Sequence, residues 1–177
     1  STRKVNLLLD PSAVARLAEE HPRILGELRQ HIEAEKICVV GGEAREAPLP
    51  LMSHDAIQRH LEQGIRFYKE HLGAPPATFG RRTFGLTPIL PGMLRQLGVE
   101  QLFHPTLDGG RFPNPDQSRS RMIGLDDERI ESLGRAPIDA TKAHDILSLA
   151  PKLSGTMNLD SVATVVCGHW STASAPW

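Results

Sequence analysis

Side chains able to do chemistry are concentrated in four short segments, each following an apolar run: Gly41-Gly42-Glu43 with Glu46, Arg81-Arg82, His104 through Asp108 to Arg111, and His169-Trp170. Glu43 and Glu46 could bind sugar hydroxyls or a metal, work as acid and base, or belong to a solvated loop. Arg81 and Arg82 carry permanent charge on a planar fork. They suit an anionic or polyhydroxylated ligand, or form a structural charge pair. His104 is either a ligand-facing group paired with Asp108 or a satisfied core histidine, and Asp108-Gly109-Gly110-Arg111 reads as a polar loop.

The elements that must position these groups alternate along the chain. Val5 to Leu9 is an apolar run closed by Asp10-Pro11-Ser12, and Asp10 or Ser12 can cap the helix that follows. Pro22 starts a second helix with Ile24, Leu25, Leu28 and Ile32 at helical spacing. Ile37 to Val40 is a continuous β-branched run ending in Gly41-Gly42, which suits a parallel strand covered on both faces. Ser53 caps the clearest helix, striped by Ile57, Leu61, Ile65, Tyr68 and Leu72 and ended by Gly73. His54, His60 and His71 on it are spaced wrongly for a shared metal face, so solvent-facing or capping roles are expected.

Thr78 to Pro91, TFGRRTFGLTPILP, reads as strand, loop and helix start. Gln101 to Leu107 is the next strand, where Pro105 implies a bulge or a sheet edge. Phe112 to Arg121 reads as a polar surface excursion. Met122 to Leu125 and Arg129 to Leu133 flank Asp126-Asp127-Glu128 as a β-hairpin on an acidic turn. A helix from Thr141 and a last strand, Val162 to Cys167, follow. The order predicts an α/β fold, a parallel sheet with covering helices, whose four polar segments all fall at carboxyl ends of strands.

Composition narrows the partners. The 177 residues form one domain of a size that buries about two-thirds of the unfolded chain's surface. A net charge of −1 argues against nucleic acid, and no apolar run approaches the roughly 20 residues of a membrane span. Cys38 and Cys167 lie in β-branched runs and read as buried residues of neighbouring strands. A reducing, cytoplasmic setting fits them.

Taken together, GGEAREAPLP, LGAPPATFGRRTFGLTPILPGMLRQLGVEQLFHPTLDGGRFP and the late GHW resemble the N-terminal catalytic barrel of the family 38 α-mannosidases, in the glycoside hydrolase/deacetylase superfamily. The resemblance implies a partial seven-stranded β/α barrel spanning residues 1–177 as one domain of a longer protein, with carbohydrate as its partner. It also implies zinc, whose ligand set is matched here only by His169. Arg82 stands where that family has its catalytic aspartate, and the first strand lacks the family's His-x-Asp pair. Hydrolysis would need two carboxyl groups roughly 5 to 10 Å apart. Glu43, Glu46, Asp108 and Asp126 are available, with Asp108 and Glu43 expected to be catalytic. Glu46, Arg81, Arg82, His104, Arg111 and Trp170 are expected to contact substrate. A non-catalytic domain binding sugar or a partner through the same mouth is the alternative, and a polysaccharide deacetylase-like metal enzyme a third.

Overall fold

The computed structural model describes residues 5–81, 85–105, 119–135, 138–139, 143–151, 154 and 167–168. Among them the chain runs β1 (Val5–Leu8), α1 (Pro11–Glu20), α2 (Pro22–Glu33), β2 (Ile37–Gly41), a 3-10 turn (Leu49–Leu51), α3 (His54–Leu72), β3 (Thr78–Gly80) and α4 (Leu90–Gln96). It continues through β4 (Gln101–Pro105), β5 (Arg119–Ile123), β6 (Arg129–Arg135), β7 (Ile138–Asp139), α5 (Ala143–Leu147) and β8 (Cys167–Gly168).

Local chemistry sets the helix ends. Asp10 caps α1, accepting from Ser12 N at 2.7 Å, and Pro22 occupies the first turn of α2, where its missing N–H costs nothing. Ser53 Oγ accepts from Ala56 N to start α3, and Gly73 ends it in the left-handed region at φ 83°. Arg29 of α2 donates to the exposed His71 carbonyl at that end, which locks the two helices together.

The main sheet has the order β1-β2-β3-β4-β6-β5. Its first five members run parallel, and β5 lies antiparallel on the outer edge of β6. From β1 to β4 successive parallel strands are spatial neighbours with helices between them, which is how the wall of a β/α barrel is built. The expected mixed α/β fold, a partial barrel, is what forms. β7 and β8 pair in a separate two-stranded sheet.

Two apolar clusters cover the helix-facing side of this wall. Val14, Leu25, Leu28, Val39, Tyr68 and Leu72 join α1, α2 and α3 to β2. Phe79, Leu90, Leu94, Leu102 and Ile130 join β3, β4 and β6 to α4, with Leu49, Ile57 and Leu61.

Several expectations change. Cys38 is exposed, because it alternates with the buried Val39 on the half of β2 nearer the amino end. Cys167 lies in the other sheet, so the two cysteines are not in neighbouring strands. Pro105 marks neither an edge nor a bulge. It is the last residue of a strand held between β3 and β6, paired in register with Arg135. The hairpin on Asp126-Asp127-Glu128 forms as expected, but its first strand begins at Arg119, inside the stretch expected to be a surface excursion. Charged residues on an exposed face are compatible with a strand whose partner supplies the opposite charge.

Candidate functional site

The carboxyl ends of β1, β2 and β3 meet around a hollow of about 160 Å³ lined by Leu8, Leu9, Asp10, Pro11, Ala13, Gly42, Glu43, Glu46, Tyr68 and Gly80. β2 delivers Glu43 through Gly41-Gly42, and β1 delivers Asp10, whose carboxylate also caps α1. From behind, α3 presents Tyr68, whose hydroxyl donates to Leu9 O at 2.5 Å. Burial raises the Tyr68 phenol above its usual range, helped by the negative charge of Asp10.

Glu43 is only 4% exposed. Its Oε1 accepts from Ala47 N at 3.2 Å, and Arg81 Nη1 stands 3.4 Å from its Oε2. Burial pushes this carboxyl up to about 7, while the Arg81 guanidinium and the Ala47 N–H pull the other way. Desolvation wins, so near neutral pH the group exchanges a proton.

The loop after Glu43 is clamped from two sides. Arg81, 1% exposed, donates from Nη2 to Ala47 O at 2.8 Å and from Nη1 to Gly85 O at 3.3 Å. Gly85, at φ 154°, lets the guanidinium lie flat against it, since a Cβ there would sit 2.9 Å from three of its atoms. On the other side α3 approaches through Gly64, where a Cβ would overlap the Gly42 carbonyl and come within 2.5 Å of the Glu43 carbonyl carbon. His60, four residues earlier, reaches the same loop, with Nε2 2.8 Å from Arg45 O and 3.4 Å from Glu43 Oε1.

The structure therefore brings together Glu43 and Glu46 at the hollow and places Arg81 behind it. Arg81 was expected to meet substrate hydroxyls, yet it is buried and bonded to backbone carbonyls, because a charged fork inside the protein must satisfy its N–H groups there. His104 is 0% exposed in β4, sharing the helix-facing side with Leu102, and does not line the hollow. Asp126 sits in the turn before β6, a strand parallel to β4, and so at the amino end of the sheet, opposite Glu43. Arg82, Asp108, Arg111, His169 and Trp170 lie outside the described residues. Asp10, His60 and Tyr68 were not expected here. Asp10 was legible as the polar residue closing the first strand, and His60 as a neighbour of the buried stripe of α3.

Among the described residues no group of three or more His, Cys, Asp or Glu is placed to hold a metal ion. β1 supplies only Val5, Asn6, Leu7 and Leu8. The zinc implied by the family 38 resemblance thus finds no matching donor set among these residues. No helix among them is long and apolar enough to cross a membrane.

A mostly parallel α/β wall with helices on one side and a buried carboxyl at its strand ends is a partial β/α barrel. The model of glycosyl hydrolase family 57 matches residues 3–133, and the chain belongs to that family. Family 57, rather than the family 38 that the motifs resemble, is thus the one matched. No curated protein matches in sequence.

Solved structures share the fold. The 4-alpha-glucanotransferase of Thermococcus litoralis is 19% identical, with 95% of this chain covering 26% of that one at a TM-score of 0.62. An alpha-mannosidase from Enterococcus faecalis V583 is 17% identical, with 95% of this chain covering 20% of that one at 0.68. The GH57-type branching enzyme of Pyrococcus horikoshii is 16% identical, with 90% of this chain covering 42% of that one at 0.53. The chain spans less than half the length of each.

Proposed function

We propose that the chain acts on or binds an α-linked saccharide at the hollow over β1, β2 and β3, with Glu43 as its proton-holding carboxyl. The observation that carries this reading is Glu43 itself: a buried carboxyl lining a strand-end hollow in a family 57 chain, raised to about 7. A general acid at a glycosidic oxygen needs a proton available near neutrality, and burial supplies that condition. The hollow is below the roughly 300 to 1,000 Å³ of drug-sized pockets, which fits one sugar ring lying on Leu8, Leu9 and Pro11.

The role of second carboxyl is assigned to Asp108, three residues after β4 in sequence. Asp10 and Glu46 already line the hollow and compete for that role. Arg111, Trp170 and Arg82 are assigned to sugar contacts, and Arg81 to holding the Glu43 loop. The α-glucanotransferase, branching enzyme and α-mannosidase named among the structural neighbours support an α-linked substrate class. An α-mannoside is the finer choice, on the motif resemblance.

Arg82 favours a second reading. An arginine in the position of the resembled nucleophile cannot attack an anomeric carbon, so the domain would hold sugar without cleaving it. Turnover of aryl α-glucosides and α-mannosides by wild type and Glu43→Gln separates the two. The catalytic reading expects a loss of about 10² to 10⁴-fold in the variant. Equal turnover in both proteins overturns it, and saccharide binding by calorimetry without turnover supports the second.

A further inference from the structure

We infer that His60 is the positioning residue of Glu43, holding the Glu43 loop at Arg45 O and setting a ring N–H beside carboxyl oxygen Oε1; the inference rests on the reading of Glu43 given above. His60 Nε2 is 2.8 Å from Arg45 O, and a carbonyl oxygen only accepts. Nε2 must therefore bear hydrogen in every state that keeps this contact. The same N–H lies 3.4 Å from Glu43 Oε1, which already accepts from Ala47 N at 3.2 Å. Oε1 thus has two N–H groups beside it, that of Ala47 bonded to it and that of His60 shared with Arg45 O, while Oε2 faces the Arg81 guanidinium.

Oε2 is buried, stands 3.4 Å from Arg81 Nη1, and makes no hydrogen bond among the described residues. A buried carboxyl oxygen left in that condition is costly in a merely structural loop and useful where a proton must be given up. The His60 side chain is 12% exposed, at the margin of the inward stripe of α3, and among the described residues its polar contacts are to the Glu43 loop.

The groups facing Glu43 are Arg81 from β3, His60 and Tyr68 from α3, Asp10 beyond β1, and Glu46 on its own loop. Arg81 and the Ala47 N–H favour the charged form, Glu46 opposes it, and burial opposes it most; the His60 N–H, 3.4 Å from Oε1, stands on the side that favours charge. Removing His60 takes one donor from the charged form and so raises the carboxyl's midpoint. Glutamine places an amide N–H near the position of Nε2 and should restore it.

The test titrates the Glu43 carboxyl by ¹³C NMR in wild type, His60→Ala and His60→Gln, alongside ¹⁵N spectra of the wild-type His60 ring and calorimetry with maltotriose. His60→Ala should move the Glu43 midpoint up by about half a pH unit or more, with His60→Gln near wild type. The wild-type ring should carry its hydrogen on Nε2 at pH 8. An unmoved midpoint in His60→Ala, or hydrogen on Nδ1 alone in wild type, overturns the inference. The ring spectrum decides even if the alanine variant does not fold. Absence of maltotriose binding counts against the sugar-site reading and leaves the midpoint result to judge His60.

Discussion

Two arginine–glutamate arrangements in this chain sit in opposite surroundings. At the strand-end site Arg81 faces Glu43, both almost wholly buried, with the guanidinium further bonded to Ala47 O and Gly85 O. On the β5–β6 hairpin Arg119 and Arg121 both reach Glu131, at 3.3 and 2.8 Å, in full view of solvent. The hairpin has the better geometry. There the hydrogen bond from Arg121 holds the Glu131 carboxyl below its usual range, whereas burial drives Glu43 the opposite way despite its own arginine. Water decides the difference, because an exposed pair is screened and pays no desolvation cost, while a buried one is governed by it.

Replacing the arginine on each side breaks the comparison most sharply. Arg81→Leu removes a buried partner and two backbone hydrogen bonds, and should cost about 3 to 5 kcal/mol. Because Glu43 can neutralise itself by taking up a proton, the loss should be larger at pH 8 than at pH 5. Arg121→Leu, its counterpart on the hairpin, should leave the urea midpoint nearly in place at both pH values. Similar losses for the two variants would mean that burial is not what distinguishes them.

A smaller effect follows from the raised Glu43. Between 4.5 and about 7 the folded protein keeps a proton that the unfolded chain has released. The contribution to stability is therefore complete below 4.5 and is lost as pH rises through 7, an amount of about 3 kcal/mol. Denaturation of wild type against Glu43→Gln across that range should show the slope in the first and not in the second. Parallel curves would contradict the assignment.

Much of the scaffold was legible because it rests on local signals. Ser53 and Gly73 bracket α3, Pro22 opens α2, and the apolar stripe of α3 faces inward at Ile57, Leu61, Tyr68 and Leu72. The strand-end glycines marked the loop that carries Glu43 to the hollow. The site's inner layer was hidden for a physical reason: its contacts are distant in sequence. Arg81 meets a carbonyl 34 residues away, and Tyr68 one 59 residues away. Residue type and spacing show that an arginine is charged, but not whether its fork will face substrate or backbone. His60, excluded from a metal face with His54 and His71, was expected to face solvent or cap its helix; at 12% exposed it reaches instead the loop lying before that helix, a contact that spacing within the helix does not show.

The central claim, that Glu43 is the proton-holding carboxyl of a sugar site, is tested most directly by following the ¹³C carboxyl signals of Glu43 and Glu131 through pH, with and without saturating maltotriose or mannobiose. The account predicts a Glu43 midpoint near 7 that shifts when one of these sugars is added, while Glu131 titrates below 4.5 and ignores both. A Glu43 midpoint at an ordinary 4.5, unchanged by either sugar, would contradict it.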